Sequence, residues 1–448
     1  MPHSLVLINP WIYDFAAYDL WSKPLGLLYL AAYLRDCDFD IHLIDCLNVH
    51  HPAMMDDPSR KPPQRRLYGT GKFWREKIPR PLPLKTIERP YSRYGISIQA
   101  FEEELKKVKK PSAFLVTSLM TYWYPGVRDV IAHIKKEHPG VPIILGGIYA
   151  RLCRDHAVRN SGADHVVTDS STADLFKVLK SHNIFVPNHL PEKMPYPAFD
   201  LLNRIDYVCL LTSRGCPYRC QYCASHFLDP ELLQRDPAET LDEIRYWHMD
   251  YGVRDFAFYD DALLVGSDTH TGVLLEHLAE LALDLRFHTP NALHVKEITP
   301  YIAKLMHRTG FKTIRLGLET ADFFLHSDLD NKVSEGDFER AVRNLLEAGF
   351  SRREIGAYML VGLPGQSVDS VTDTIKFVTA VGTMPFLAEY SPIPHTALWE
   401  KAIRHSEYDL ASEPLFHNNT LLPCWNTSQK KEIPRLRQMV LETRQKYK

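Results

Sequence analysis

The sequence predicts an α/β protein with an N-terminal Rossmann-like parallel sheet domain, then a partial (β/α)6 TIM-type barrel and a small C-terminal extension. Apolar strand-like runs alternate with segments of helical period over residues 1–182. After a Pro-containing linker at 183–203 the alternation restarts and continues over 204–398. Six strand–helix units are too few for a closed eightfold barrel. Residues 399–448 are the predicted extension.

The composition narrows the class of protein. The 448 residues carry 53 Lys plus Arg and 55 Asp plus Glu, a net charge of −2, which predicts no nucleic acid or anionic membrane as main partner. The start lacks the pattern of a signal peptide, and no window has the apolar length of a membrane span. Eight cysteines in so long a chain predict reduced thiols and a cytoplasmic protein.

The elements of the first domain follow from apolar runs and their period. The predicted strands are SLVLINP (4–10), FDIHLID (39–45), SAFLVTSLMT (112–121), VPIILGG (141–147) and ADHVVTD (163–169). Helices are predicted for PLGLLYLAAYLRD (24–36) and VRDVIAHIKKE (127–137). In such parallel sheets, ligands bind beyond the carboxyl ends of the strands.

Residues 51–95 interrupt this alternation. They contain eight prolines and 11 Lys or Arg against four Asp or Glu. We expect an irregular surface insertion. The alternative is a basic flap over an anionic ligand, with Tyr68 and Trp74 stacking on it.

The second domain contains six strand–helix units in succession. Its predicted strands are YVCLLTS (207–213), DFAFYDD (255–261), RFHTPN (286–291), TIRLGLE (313–319), IGAYMLVG (355–362) and FLAEYSP (386–392), with helices between them. Polar or small residues stand at the carboxyl ends of these runs, among them Asp260, Asp261, Asn291, Glu319 and Gly362. In barrels of this kind the rim at the strand ends holds the active site.

Three cysteines lie close together directly after the first of these strands. Cys216, Cys220 and Cys223 stand in TSRGCPYRCQYCAS, spaced by three and then two residues. Zinc could bind them with His226 as a fourth ligand. A cluster of four irons fits three thiolates differently, because its fourth iron stays open for another molecule.

The pattern Cys-x3-Cys-x-aromatic-Cys after the first strand of a partial barrel resembles the radical S-adenosylmethionine (SAM) superfamily. The resemblance implies that Cys216, Cys220 and Cys223 hold a catalytic 4Fe-4S cluster whose open iron binds the methionine part of SAM. An electron from an external donor such as flavodoxin or ferredoxin then cleaves SAM to a 5′-deoxyadenosyl radical, which abstracts hydrogen from the substrate.

The resemblance also implies a set of SAM-binding residues. Asp260 and Asp261 match the family's contact to the methionine ammonium, and Glu319 in RLGLET an acceptor for SAM. The full set is Tyr222, Asp260, Asp261, Gly317, Glu319, Gly362, Gly365 and Ser391. The sixth-strand motif YSPIPHT departs from the family pattern, which has glycine where His395 stands.

The first domain resembles the cobalamin-binding domain of one branch of that superfamily. INPWIYDF and KPLGLLYLAAYL are similar to that branch, and TSLMT precedes LGG with 26 residues between Leu119 and Gly146. The resemblance implies a pocket for the nucleotide tail of cobalamin at Thr117, Leu119, Thr121, Gly146, Gly147 and Tyr149. We interpret His42 as structural and expect cobalt to be bound without a protein histidine.

These features lead to one functional hypothesis and two alternatives. The hypothesis is a cobalamin-dependent radical SAM methyltransferase acting on an unactivated carbon or on phosphorus, in a small-molecule or peptide substrate. The first alternative uses the same cofactors for rearrangement, cyclisation or oxidation without methyl transfer. The second is a non-catalytic iron–sulfur or cobalamin sensor. Cys424 is a candidate hydrogen donor or extra ligand, although a lone cysteine is usually inert.

Overall fold

The computed structural model describes residues 3–169, 171–187 and 193–447. The chain divides into two compact units, one formed by residues 1–206 with Ser412–Leu415 and the other by 207–411 with Phe416–Lys448. Part of the predicted linker, residues 188–192, lies outside the described residues. No described helix is long and apolar enough to cross a membrane.

A five-stranded parallel sheet forms the centre of the first unit. Its strands, in spatial order, are Asp40–Asp45, Ser4–Asn9, Ala113–Val116, Ile143–Leu145 and His165–Val166. In chain order this is 2-1-3-4-5, the flavodoxin-like order of doubly wound sheets. The prediction of a Rossmann-like parallel sheet is confirmed. The strand order reverses between Ser4–Asn9 and Ala113–Val116, and ligands bind such sheets at this point.

Helices cover this sheet because its apolar faces must be buried. They are Leu25–Asp36, Ile98–Lys107, Tyr124–Glu137, Ile148–Leu152, Arg154–Asn160 and Ala173–Ser181. The interior strand Ser4–Asn9 is buried along its whole length. One core cluster joins its Leu5 and Leu7 to residues of the first and last of these helices.

The insertion at 51–95 is less irregular than expected. Strand Tyr91–Tyr94 pairs with Ile12–Asp14 on one side and with Arg75–Ile78 on the other in a three-stranded antiparallel sheet, and Pro52–Met55 forms a short helix. Trp74 is 5% exposed and its indole N–H donates to the carbonyl of Val49 at 3.0 Å. Trp74 is therefore a core residue of this sheet, which corrects the alternative in which it stacks on a ligand.

The second unit contains the six predicted strands in sequential order. They are Val208–Leu210, Asp255–Phe258, Arg286–His288, Phe311–Glu319, Ile355–Val361 and Met384–Glu389, all parallel. The intervening helices are Pro237–Tyr251, Thr271–Leu281, Pro300–Arg308, Asp337–Glu347 and Val368–Val381. Among the described residues, the first and last strands of this sheet do not pair, so the barrel is open as predicted.

The C-terminal extension covers the edge of this open barrel. Helix Ile433–Gln445 packs against the sixth strand and against helix Val368–Val381. The hydroxyls of Thr379 and Thr443 are hydrogen-bonded at 2.9 Å, and the Arg444 guanidinium lies 3.7 Å from the centre of the Phe386 ring. An exposed edge strand is a template for unwanted pairing, so this cover protects the barrel from aggregation.

Candidate active site

The cysteine loop begins where the first barrel strand ends. Gly215 has φ +78, and a Cβ there would lie 2.1 Å from the carbonyl oxygen of Glu231. Glycine is therefore required at the entry to the loop. Two short strands, Ser213–Arg214 before the loop and Leu233–Gln234 after it, pair antiparallel. These contacts close the loop that carries the three cysteines.

The three thiols are free, and their charges influence one another. Cys216 and Cys220 are 8% and 7% exposed, and Cys223 is half-buried. Burial raises the pKa of Cys220 to about 12, and burial likewise raises the pKa of Cys216. A negative charge on Cys223 adds to both increases.

This donor set fits an iron–sulfur cluster. In the part of the chain that the structure describes, no three His, Cys, Asp or Glu side chains converge as ligands of a single metal ion would. Each cysteine of a cubane cluster binds a different iron, so its ligands need not converge in that way. Three cysteines in one half-enclosed loop therefore meet the requirement for a cluster with one open iron.

Asp260 is bound to the backbone that precedes this loop. Its Oδ1 accepts hydrogen bonds from the amides and hydroxyls of Thr212 and Ser213 at 2.5–3.0 Å. The residue is only 3% exposed. Asp260 thus positions the start of the cysteine loop, and its contact to SAM stays a prediction.

Asp261 differs from its neighbour because it is exposed. Its Oδ2 accepts a hydrogen bond from the Ser225 hydroxyl at 2.6 Å. The same hydroxyl lies 3.1 Å from the Sγ atom of Cys223. Of the two adjacent carboxylates, Asp261 alone combines exposure with a link to a cluster cysteine.

Glu319 lies at the end of the fourth barrel strand, next to a buried lysine. Its φ of +65 is a conformation that non-glycine residues seldom adopt. The Lys332 ammonium donates to Glu319 Oε1 at 3.2 Å and to the Tyr222 hydroxyl at 2.9 Å. Burial alone would lower the pKa of Lys332, but the charges of Glu319 and Cys220 overcome this and raise it. Lys332 is therefore a cation beside the cysteines.

The loop that carries Lys332 is held to the cysteine loop. The Gln221 amide donates to the carbonyl of Leu329 at 2.8 Å. The Asp330 carboxylate accepts from the Lys332 amide at 2.9 Å and pairs with His326 Nδ1 at 2.8 Å. These contacts fix the ammonium of Lys332 relative to the cysteines.

His294 extends the polar side of the site. It pairs with Gly317 across two parallel strands, and its ring stacks on Tyr218, between Cys216 and Cys220, with centroids 4.5 Å apart. Burial and the charge of Lys332 lower the pKa of His294 to about 3. His294 is therefore neutral at physiological pH.

The remaining predicted SAM residues line the ends of strands four to six. A Cβ at Gly317 would lie 3.2 Å from Glu319 Oε1, so glycine leaves room for that carboxylate. The Gly362 amide donates to Gln366 Oε1 at 2.9 Å, and the Ser391 hydroxyl donates to the carbonyl of His417 at 2.6 Å. Near Gly365, with φ +83, the atoms nearest to an added Cβ are the ends of the Lys401 and His405 side chains, at 3.7–3.8 Å. Gly365 thus leaves more open space than Gly362.

Two residues that the sequence analysis singled out have local explanations. His395 has φ +68, which explains why glycine suits this position, and its ring stacks on Phe227 at 4.0 Å. Cys424 is 5% exposed within an apolar cluster of the second unit, and burial raises its pKa to about 12. Cys424 therefore packs within this apolar cluster, and its role as hydrogen donor or ligand stays a hypothesis.

The predicted cobalamin residues lie at the carboxyl edge of the first unit's sheet. Thr117 and Leu119 are half-buried at the end of the third strand, and Gly146 is half-buried at the end of the fourth. Nearby Met120 and Ile148 are 48% and 36% exposed. A small pocket at the switch point is lined by Asn9, Pro10, Trp11, Ile12, Leu47, Leu119, Trp123 and Val127. An edge that is open and partly apolar fits a large ligand with an apolar ring system.

Three of these positions serve the domain's own packing. A Cβ at Gly147, with φ +91, would lie 2.3 Å from the carbonyl oxygen of Ser118. Tyr149 is fully buried and its hydroxyl is 2.7 Å from His156 Nδ1, while Thr121 is 6% exposed. Tyr149 and Thr121 thus take part in the packing of the domain, and their contact to cobalamin stays a prediction. His42 is exposed on an edge strand, with its Nε2 3.1 Å from Asp40 Oδ2.

Sequence reasoning missed three residues of the site. Lys332 and His294 belong to no recognised motif, and only the barrel brings them to the cysteines. Ser225 carried a weak signal, because a hydroxyl two residues after a cysteine can reach its sulfur.

Comparison with known proteins agrees with this architecture. Residues 210–378 match the model of the Radical SAM superfamily. An uncharacterized methyltransferase of Synechocystis is 26% identical over 317 residues, covering 66% of this chain and 57% of the relative. The hopanoid C-2 methylase of Rhodopseudomonas palustris is 24% identical over 290 residues, covering 59% and 53%. The chain thus spans about half the length of the curated relatives it matches.

Solved structures share the fold of the chain. The radical S-adenosylmethionine methyltransferase TsrM from Kitasatospora setae, bound to tryptophan and a SAM analogue, matches 94% of this chain and 83% of its own with a TM-score of 0.64 at 15% identity. The cobalamin-dependent radical enzyme OxsB matches 98% of this chain and 56% of its own with a TM-score of 0.57 at 13% identity. Residues 210–378 are thus identified as a radical SAM domain by their match to the model of that superfamily.

Proposed function

We propose that this protein is a cobalamin-dependent radical SAM methyltransferase acting on an unactivated carbon or on phosphorus. The observation that carries the proposal is the loop of three free thiols at the rim of an open barrel, with the cation of Lys332 beside it. Relatives named methyltransferases, among them a cytidylyl-2-hydroxyethylphosphonate methyltransferase, support the type of reaction.

In this proposal, Cys216, Cys220 and Cys223 hold a 4Fe-4S cluster. When bound, the cluster and SAM supply radical chemistry, and cobalamin supplies a methyl group. The chain's own groups position the cofactors. Asp261 accepts the methionine ammonium, and Lys332 and Glu319 offer one charge of each sign to the rest of SAM. The open space at Gly365 admits its nucleoside.

At the first unit, Thr117, Leu119 and Gly146 hold the tail of cobalamin. The exposed apolar side chains of Met120 and Ile148 add contact area that matches an apolar ligand. The substrate is a small molecule or a peptide. An external low-potential donor, such as flavodoxin or ferredoxin, supplies the electrons, and the free thiols suit the reducing cytoplasm.

The test is an anaerobic assay with cluster-loaded protein, cobalamin, reductant and candidate substrates. Methyl transfer predicts S-adenosylhomocysteine together with 5′-deoxyadenosine. 5′-Deoxyadenosine alone would favour rearrangement, cyclisation or oxidation without methyl transfer. If the loaded protein yields neither product with any donor while binding SAM, the proposal of an enzyme fails and the sensor alternative takes its place.

A further inference from the structure

One hydroxyl group lies between a predicted cluster ligand and a predicted SAM contact. Ser225 Oγ is 3.1 Å from Cys223 Sγ and 2.6 Å from Asp261 Oδ2. The backbone amide of Ser225 also donates to Cys223 Sγ, at 3.4 Å. Ser225 begins the short helix Ser225–Leu228 that follows the third cysteine, and its side chain is half-buried.

This hydroxyl has one hydrogen and two acceptors. A serine hydroxyl donates one hydrogen bond. A cysteine that binds iron is a thiolate, so Cys223 in a loaded site accepts and does not donate. The Ser225 hydroxyl can therefore donate its hydrogen bond to Asp261 or to Cys223, but not fully to both. The shorter contact, to a carboxylate, favours Asp261 when nothing else neutralises that charge.

We infer that Ser225 couples SAM binding to the reduction potential of the cluster. The inference rests on the proposed contact between Asp261 and the methionine ammonium. When that ammonium donates to Asp261, the carboxylate has less need of the serine hydrogen. The Ser225 hydroxyl then turns to Cys223 Sγ and stabilises the extra electron of the reduced cluster, because hydrogen bonds to cluster sulfurs raise the potential.

The consequence is an order of events in the reaction. SAM binding raises the midpoint potential, so a one-electron donor reduces the SAM-bound protein more readily than the SAM-free protein. By thermodynamic linkage, SAM must then bind the reduced protein more tightly than the oxidised protein. A tenfold preference corresponds to a shift of about 59 mV for one electron.

The test measures midpoint potentials of anaerobic, cluster-loaded protein by electron paramagnetic resonance, with and without saturating SAM. We expect SAM to raise the potential of the unaltered protein and to lose most of this effect in Ser225→Ala. Ser225→Thr keeps the hydroxyl and should keep the shift. Both variants retain the backbone amide that donates to Cys223, so the comparison isolates the hydroxyl. If Ser225→Ala fails to hold its cluster, Ser225→Gly replaces it as the variant without a hydroxyl.

A double-mutant cycle separates the hydroxyl from simple charge removal. Asp261→Ala frees the hydroxyl for Cys223 and also removes a negative charge, so it should raise the SAM-free potential. In the Ser225→Ala background only the charge effect remains, and the rise should be smaller. Equal rises in both backgrounds, or an undiminished SAM-induced shift in Ser225→Ala, would overturn the coupling.

The same variants distinguish this inference from the proposed function. If Asp261→Ala leaves SAM affinity unchanged, the contact of Asp261 with SAM fails, and the coupling fails with it. If Asp261→Ala weakens SAM binding while Ser225→Ala keeps the full shift, the contact stands and only the coupling is wrong.

Discussion

At the scale of single residues, adjacent identical side chains have different tasks. Asp260 and Asp261 are neighbours in the sequence, yet Asp260 is buried behind the loop and Asp261 is exposed beside Ser225. Both residues follow the strand Asp255–Phe258 and lie in the loop after it, so their different burial comes from the packing of that loop.

The cysteine assignment gives the most direct prediction. Replacing Cys216, Cys220 or Cys223 with alanine removes one of three thiolate ligands, so each variant should lose its full cluster and all reductive cleavage of SAM. Iron analysis of anaerobically reconstituted protein should give about four irons per unaltered chain. Cys424→Ala is the matched control and should retain iron, since that thiol lies in an apolar cluster. Stoichiometric zinc without iron in anaerobically purified protein would return the assignment to zinc.

Glu319 supports a second prediction at this scale. Glu319→Gln keeps the shape but removes the charge, and the loss of a charge-assisted contact costs about 1.5–3 kcal/mol of SAM binding, roughly ten- to a hundredfold in affinity. Calorimetry on cluster-loaded protein measures this. Glu276→Gln, on the helix Thr271–Leu281 and hydrogen-bonded by Tyr301, is the control and should bind SAM normally. Equal affinity in both variants would place the SAM contact at another rim residue.

His156 predicts how stability depends on pH. Burial, with the nearby charges of Arg159 and Arg128, lowers its pKa from 6.5 to about 4. The unfolded chain therefore takes up a proton at higher pH than the folded chain does. The stabilising contribution is complete above pH 6.5 and is lost as the pH falls towards 4. Because the ring is only half-buried, we expect about 1–2 kcal/mol, less than the pKa difference implies.

Urea unfolding between pH 7 and pH 4 measures this effect. His156→Gln has no titrating group, so its free energy of unfolding should fall less over this range than that of the unaltered protein. A pH dependence that is the same with and without His156 would contradict the prediction.

At the scale of elements, Gly146 and Gly147 follow the fourth strand of the first unit, and substitutions at these two positions test different properties. Leucine at Gly147 would collide with the backbone of Ser118, so Gly147→Leu tests folding and not ligand binding. A Cβ at Gly146 meets only the carbonyl oxygen of Val167, at 4.0 Å. Gly146 is therefore the position at which a side chain can block a ligand without disturbing the chain.

Gly146→Val should weaken cobalamin binding while the cluster still assembles in the other unit. The added side chain would fill space that the nucleotide tail needs, and equilibrium dialysis with hydroxocobalamin measures the loss. Gly26→Ala, in the helix Leu25–Asp36 where a Cβ meets nothing within 4 Å, is the control for glycine replacement. If the unaltered, cluster-loaded protein does not bind hydroxocobalamin, the cobalamin part of the proposal is wrong and radical chemistry without cobalamin remains.

At the scale of the whole molecule, the cysteine loop is held by protein contacts. Asp260 binds the backbone before the cysteines, and Gln221 binds the backbone of Leu329. We therefore expect that removal of the iron by a chelator leaves the far-ultraviolet circular dichroism spectrum unchanged. Small zinc domains differ, because the metal supplies their folding energy. Loss of helical signal together with iron would show that the cluster organises the fold.

The sequence by itself determined the order and type of the elements and the position of the cysteine loop. All six barrel strands and all five sheet strands follow from apolar runs and helical periods, which depend on neighbours in the chain. The cysteine motif is equally local, because its three ligands lie within eight residues.

Only the tertiary structure decided which groups face the site. Trp74 is core and not a lid, Asp260 is a support and Asp261 is exposed, and Lys332 is brought to Tyr222, 110 positions away in the chain. These outcomes depend on which surfaces pack together and on how buried charges are compensated. Neither follows from a periodic pattern along the chain, so burial and ion pairing at the site required the folded structure.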